Sequence, residues 1–133
     1  MKTRLVASFC FVVGLLMGCG SVFAHHGTTA SYDPSKTVTV KGTVVEFVMR
    51  NPHGQLWVDA KDDKGNIVRW GFELHSILLM RRAGWTKDVL KAGDQVTVTA
   101  NPSRAGTPVG VMQTVTLANG KEYFRDIPQT AQR

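Results

Sequence analysis

Val38-Thr39-Val40-Lys41-Gly42-Thr43-Val44-Val45-Glu46-Phe47-Val48-Met49 has the pattern of a long strand with an interruption. Val38, Val40 and Val44 share one parity while Val45, Phe47 and Met49 share the other, so an alternating strand changes phase partway along its length. The sequence puts that change near Gly42. A long first strand that bends at a glycine is what a small sheet needs to curl toward closure.

Outward from this strand, Asn51-Pro52-His53-Gly54 breaks the pattern as a turn. Gln55 to Lys61 resumes it, with Leu56, Val58 and Ala60 alternating against Trp57 and Asp59, and Asp62-Asp63-Lys64-Gly65 closes a hairpin into Ile67 to Glu73, where Val68, Trp70 and Phe72 alternate. From Ser76 to Ala83 the period changes to that of a short helix, stopped by Gly84. Thr86 to Leu90 reads as one further turn. Strands follow at Gln95 to Ala100 and Val109 to Leu117, separated by the Pro-, Ser- and Gly-bearing loop Asn101 to Pro108, and Asn119-Gly120 turns into a last short strand around Tyr123-Phe124. Three strands, one short helix, then two or three strands predict a mainly β protein. The expected architecture is a small OB-like β-barrel of five to six strands with its helix between the third and fourth strands; a small sandwich or an open sheet with a helical cover are the alternatives.

The N-terminus reads as an export signal. Lys2 and Arg4 precede an apolar run of 14 residues, Leu5 to Gly18, and Val22-Phe23-Ala24 has small residues at the −3 and −1 positions of a cleavage site. The run is shorter than the ~20 residues of a transmembrane helix, so the chain is not expected to span a membrane after cleavage. Leu16-Met17-Gly18-Cys19 resembles a lipobox, which would instead make a lipoprotein anchored through Cys19. Met17 is unusual there, and the cut after Ala24 is favoured. The expected organisation is a signal peptide at 1–24, an N-terminal arm at 25–36, the barrel at 37–127 and a flexible tail at 128–133. A periplasmic location follows.

Removing 24 of the 133 residues leaves 109, enough for one domain. Both cysteines, Cys10 and Cys19, leave with the signal, which excludes disulfides, thiolate metal sites and cysteine nucleophiles from the mature domain. Without Lys2 and Arg4 the net charge falls from +6 to +4. An exported chain does not meet nucleic acid, so Trp57, Trp70 and Trp85 are not read as a base-stacking platform: Trp70 is assigned to the core and Trp57 to a partly exposed cross-strand position.

The chemistry-bearing feature is His25-His26, which would begin the mature chain. A free α-amine of pKa about 7.7 and an imidazole of pKa about 6.5 are both available near neutral pH and can close one chelate ring; nitrogen ligands in a tetragonal set favour Cu(II). His53, in a strand-connecting turn that can point outward, is the candidate further imidazole, and His26 either binds or flanks. The plain alternative for His53 is a turn residue bonded to nearby backbone. His75, just ahead of the helix, is read as structural. Met49, Met80 and Met112 are assigned to packing, and Asp33 and Glu46 are oxygen candidates that are equally ordinary surface acids.

Ala24-His25-His26, Tyr32-Asp33, Val40-Lys41-Gly42-Thr43-Val44, Asn51-Pro52-His53, Trp70-Gly71-Phe72-Glu73, Arg81-Arg82-Ala83-Gly84-Trp85 and Lys91-Ala92-Gly93-Asp94 follow one another along the chain. In this succession the chain resembles a widespread family of small exported bacterial proteins classed as a domain of unknown function. The resemblance continues through Asn101 to Gly106 and Leu117 to Gly120. It implies export and carries His25, His26 and His53 as family positions, while the region around His75 departs from it.

The expected function is a periplasmic Cu(II) carrier or storage protein with metal ligands His25, His26 and His53, its partner a metal ion or an unknown periplasmic protein. A metal-free binding module or accessory subunit for a small molecule or secreted partner is the second reading, and a copper-dependent oxidative enzyme the third. No catalytic residue is assigned, because no nucleophile triad, phosphate loop or paired carboxylates stand out. Intact-mass analysis of the exported protein should give a chain beginning at His25; a diacylated Cys19 would place the histidine pair inside the chain and remove the chelate.

Overall fold

Residues 28–126 are described by the computed structural model, and within them the phase change of the first strand resolves into a β-bulge. The signal segment, His25, His26 and the tail lie outside the described residues. β1 (Val38–Val48) pairs antiparallel with β2 (Gln55–Lys61), and the register shifts between Val44 and Glu46. Val45 is thus the extra residue. It carries the alternation from Val40 and Val44, both buried, over to Phe47, which packs against the same core. The bulge, and not Gly42, inverts the parity.

Gly42 has a different task. β1 pairs with β4 (Gln95–Pro102) over Val38 to Thr43 and with β2 from Gly42 onward, so Gly42 lies opposite both Ala60 and Val96. A Cβ at Gly42 would fall 2.3 Å from the carbonyl oxygen of Asp59 and 2.7 Å from Val58 Cγ1. Only glycine admits β2 this closely where the strand is shared by two neighbours.

β3 (Ile67–Glu73) completes the first hairpin, and β5 (Val109–Leu117) follows β4. The strand order is β3-β2-β1-β4-β5-β6, and β3 also pairs with β5 in parallel through Gly71↔Val109, Phe72↔Gly110 and Glu73↔Val111. That pairing joins the two ends of a five-stranded sheet. The result is a closed OB-like barrel, with the short β6 (Glu122–Phe124) added outside β5. Inside it, Leu56, Val58, Val98, Ala100, Met112 and Val115 are fully buried, as the alternation predicts.

Of two short helices, α1 (Thr28–Ser31) belongs to the arm and α2 (Ile77–Arg82) lies between β3 and β4. The stop of α2 is built into the sequence: Gly84 adopts φ +86, its N–H donates to Arg81 O, and the N–H of Trp85 reaches Met80 O. This is a glycine-dependent Schellman end whose flanking pair, Met80 and Trp85, is buried. Trp85 donates its Nε1–H to Phe124 O at 2.8 Å, and its ring lies 5.5 Å from Phe47 and 5.2 Å from Tyr123. One end of the barrel is thereby closed by Met80 and Trp85. Trp70 packs on the core, stacked against Phe72, in keeping with its sequence assignment. Among the described residues no helix is long and apolar enough to cross a membrane.

Gly42→Ala should lower stability by about 1–3 kcal/mol, because overpacking at a backbone contact forces the strands apart. The urea midpoint measures it, and an unchanged midpoint would show that β1 and β2 separate at no cost.

Candidate metal-binding site

The turn Asn51-Pro52-His53-Gly54 is fastened at one end to the start of α2 and at the other to the residues that lead into it. Asn51 Oδ1 accepts the N–H of Ile77 at 3.1 Å, taking up one of the unpaired donors at the helix start. Gly54 donates its N–H to His75 O and accepts from the N–H of Leu74, each at 2.9 Å. Its Cα faces Met80: a Cβ there would meet the sulfur at 2.7 Å. Asn51 and Gly54 therefore hold the turn, and His53 stands exposed between them.

The His53 side chain is 46 % exposed, and its Nδ1 meets Oε1 of Glu73. A carboxylate only accepts, so Nδ1 bears the proton. In the neutral imidazole this leaves the lone pair on Nε2. Glu73 accepts a second hydrogen bond at Oε2, from the Tyr32 hydroxyl at 3.3 Å. Burial, and then the Glu73 carboxylate, push the Tyr32 phenol above its ordinary value of 10.0.

Tyr32 comes from the arm, which the sequence reads only as polar. It forms a bridge with Ser103, the N–H of Asp33 donates to Pro102 O, and that of Arg104 to Ser31 O. The arm thus lies along the β4–β5 loop and delivers Tyr32 to β3. Beside it Trp57 covers Gly71, its cross-strand partner; a Cβ on Gly71 would sit 2.6 Å from the indole. This is the half-exposed cross-strand position assigned to Trp57. A shallow cleft remains between Tyr32, Gln55, Trp57, Glu73 and Val109.

The other candidates have different fates. His75 Nε2 bonds Asp126 Oδ1 at 2.8 Å, which fits a structural role. Met80 and Met112 are buried and Met49 packs against the core. Asp33 is engaged by Ser35, Lys36 and Arg104; the hydrogen bond from the Ser35 hydroxyl is the largest cause of its lowered pKa. Glu46 is exposed. Among the described residues no group of three or more His, Cys, Asp or Glu side chains converges as a metal site, and His53 with Glu73 is a pair. His25 and His26 fall outside the described residues, so their approach to His53 is not seen.

Glu73 and Tyr32 are the partners that the sequence reading missed. A signal for Glu73 existed: counting back along the hairpin from Lys61↔Ile67 places Glu73 opposite Gln55, two residues beyond His53. Nothing comparable marks Tyr32, whose place depends on the arm's path.

The sequence matches the model of a family of unknown function, DUF6152, over residues 14–113. No curated protein matches it. Among solved structures it is similar to the mitochondrial single-stranded DNA binding protein Rim1 of S. cerevisiae, with a TM-score of 0.48 and 12% identity, over 62% of this chain and 93% of that one.

The raised Tyr32 value makes stability depend on pH at the alkaline end. A phenol with a higher pKa folded than unfolded contributes stability that is fully present below about 10 and is lost as pH rises through the folded value. Wild type should therefore lose stability in this alkaline range more steeply than Tyr32→Phe in parallel urea titrations. Identical slopes would mean that the phenol is neither buried nor held by Glu73.

Proposed function

Because the chain belongs to this family of unknown function, its role has to be argued from its own residues, and we propose that it is a periplasmic Cu(II)-binding protein, a carrier or storage module. The amine and imidazole of His25 would form the chelate, and His53 Nε2, with or without His26, would complete the nitrogen set. The observation that carries this reading is the His53–Glu73 pair. A half-exposed histidine whose Nδ1–H is held by a carboxylate is the arrangement that metal-binding histidines use: the carboxylate fixes the tautomer and aims the ring.

Chain geometry supports the pairing of arm and turn. Tyr32 touches Glu73, which touches His53, and Tyr32 lies seven positions after His25. With Thr28–Ser31 in α1, one helical turn and three extended residues reach at most about 17 Å, and a chain beginning at His25 would start within that distance of Tyr32. The donor set suits the ion, since imidazole and amine nitrogens without thiolate favour Cu(II) among divalent metals. Each nitrogen must lose its proton to bind, so affinity should fall as pH drops through the range of about 6 to 8.

Calorimetric titration with Cu(II) of the chain beginning at His25, beside a form retaining Ala24, tests the chelate. The extended form should bind far more weakly, and equal affinity would exclude the amine. His53→Ala should weaken binding further, and Glu73→Ala should cost about 10–100-fold, the range for a residue that orients a ligand. If the chain binds no Cu(II) at all, the metal-free binding module becomes the better reading.

A further inference from the structure

We propose that α2 is a docking surface for an anionic phospholipid bilayer, a role independent of the metal site. Of the apolar run Ile77-Leu78-Leu79-Met80 only Met80 is fully buried; Leu78 and Leu79 are 59% and 41% exposed. They are not explained by the barrel, whose end is closed by Met80 and Trp85 beneath them. Nor do they form a peptide groove. Adjacent helical residues diverge by about 100°, and neither leucine lines the channel between Met49, Ile77, Trp85 and Lys87.

The charges around them are mostly basic. Arg81 and Arg82 follow in the same helix, Lys87 lies in the next turn, and Arg50 stands between Met49 and Asn51, which both meet the start of α2. All four are exposed, and none forms a salt bridge among the described residues. Of the acids nearby, Asp126 is bonded to His75 and Asp88 lines the channel with Arg81 and Lys87. Exposed apolar side chains on a short helix that also carries two exposed arginines match a surface whose apolar layer lies beneath an anionic one. The leucines would enter the interface while the arginines meet phosphate oxygens, which accept bidentate hydrogen bonds from guanidinium.

Co-sedimentation of the chain beginning at His25 with vesicles tests this surface. Binding is expected to equal parts phosphatidylcholine and phosphatidylglycerol and not to phosphatidylcholine alone, and should weaken with added salt. Each arginine brought to an anionic surface is worth about fivefold in partition, so Arg81→Gln with Arg82→Gln should lower it roughly 25-fold. Leu78→Gln with Leu79→Gln should abolish it, and the exposed positions should leave the urea midpoint unchanged. Lys61→Gln with Lys64→Gln removes the same charge at the far end of the β2–β3 hairpin and should change partition by less than about twofold. Three results overturn the proposal: no binding to the anionic vesicles, binding that survives loss of both leucines, or equal losses from the two charge-removing pairs. Retention on an acidic peptide without vesicle binding would identify a protein partner instead.

Discussion

The parallel seam between β3 and β5 closes the barrel. It consists of three residue pairs, and without it the sheet would be open, with β3 as an unpaired edge. Phe72 faces Gly110 across the seam, and a Cβ on Gly110 would fall 2.8 Å from Asn101 O, so the glycine lets β4 and β5 approach closely where β5 meets β3. The N–H of Gly71 reaches Pro108 O at the entrance to the same seam. Closure turns the buried parity of every strand inward and removes the edge at once.

The seam also places the chemistry. Glu73 is paired with Gln55 on one side and Val111 on the other, so its backbone has little freedom and its carboxylate points in one direction. The loop that leads into the seam, through Pro102 and Ser103, is the one that the arm lies against. A single closure therefore sets both the acceptor for His53 and the path that brings Tyr32 to it. Glu73 accepts from both sides, and its two oxygens are each used once.

Local pattern made the barrel legible, because strand alternation, the Asp-Asp-Lys-Gly hairpin and the Gly84 helix stop are all written in contiguous residues. The bulge at Val45 was visible only as its consequence, a parity change, and Gly42 drew the assignment because glycine is the usual sign of a bend. A bulge leaves no residue signature of its own when the extra residue is a valine in a valine run. For the site, His53 was legible because a turn histidine is conspicuous. Glu73 was concealed by ordinary acidity at a strand end, and only the hairpin register reveals what it faces. Tyr32 depends on arm-to-loop contacts some seventy residues apart in sequence, which no local pattern encodes. The burial of Trp85 and the exposure of Leu78 and Leu79 follow from which face of a six-residue helix meets the barrel, and six residues are too few for periodicity to decide.

The two halves of the proposed metal site differ in how they are prepared. His53 stands on a turn tied at Asn51 and Gly54 and is aimed by Glu73, so little ordering would remain to be done at that ligand when an ion arrives. His25 would have to be gathered from the chain ahead of it. The attachment of Ser31 and Asp33 to the β4–β5 loop matters here, since it shortens the segment to be closed to a few residues, and closure entropy rises with segment length. A site divided in this way has one fixed imidazole and one movable chelate. Its release of metal would be governed by the arm: protonating the α-amine, or drawing the N-terminus to a competing partner, would open the site while leaving the barrel and His53 as they were. That asymmetry suits a protein that passes an ion on better than one that retains it as a structural centre.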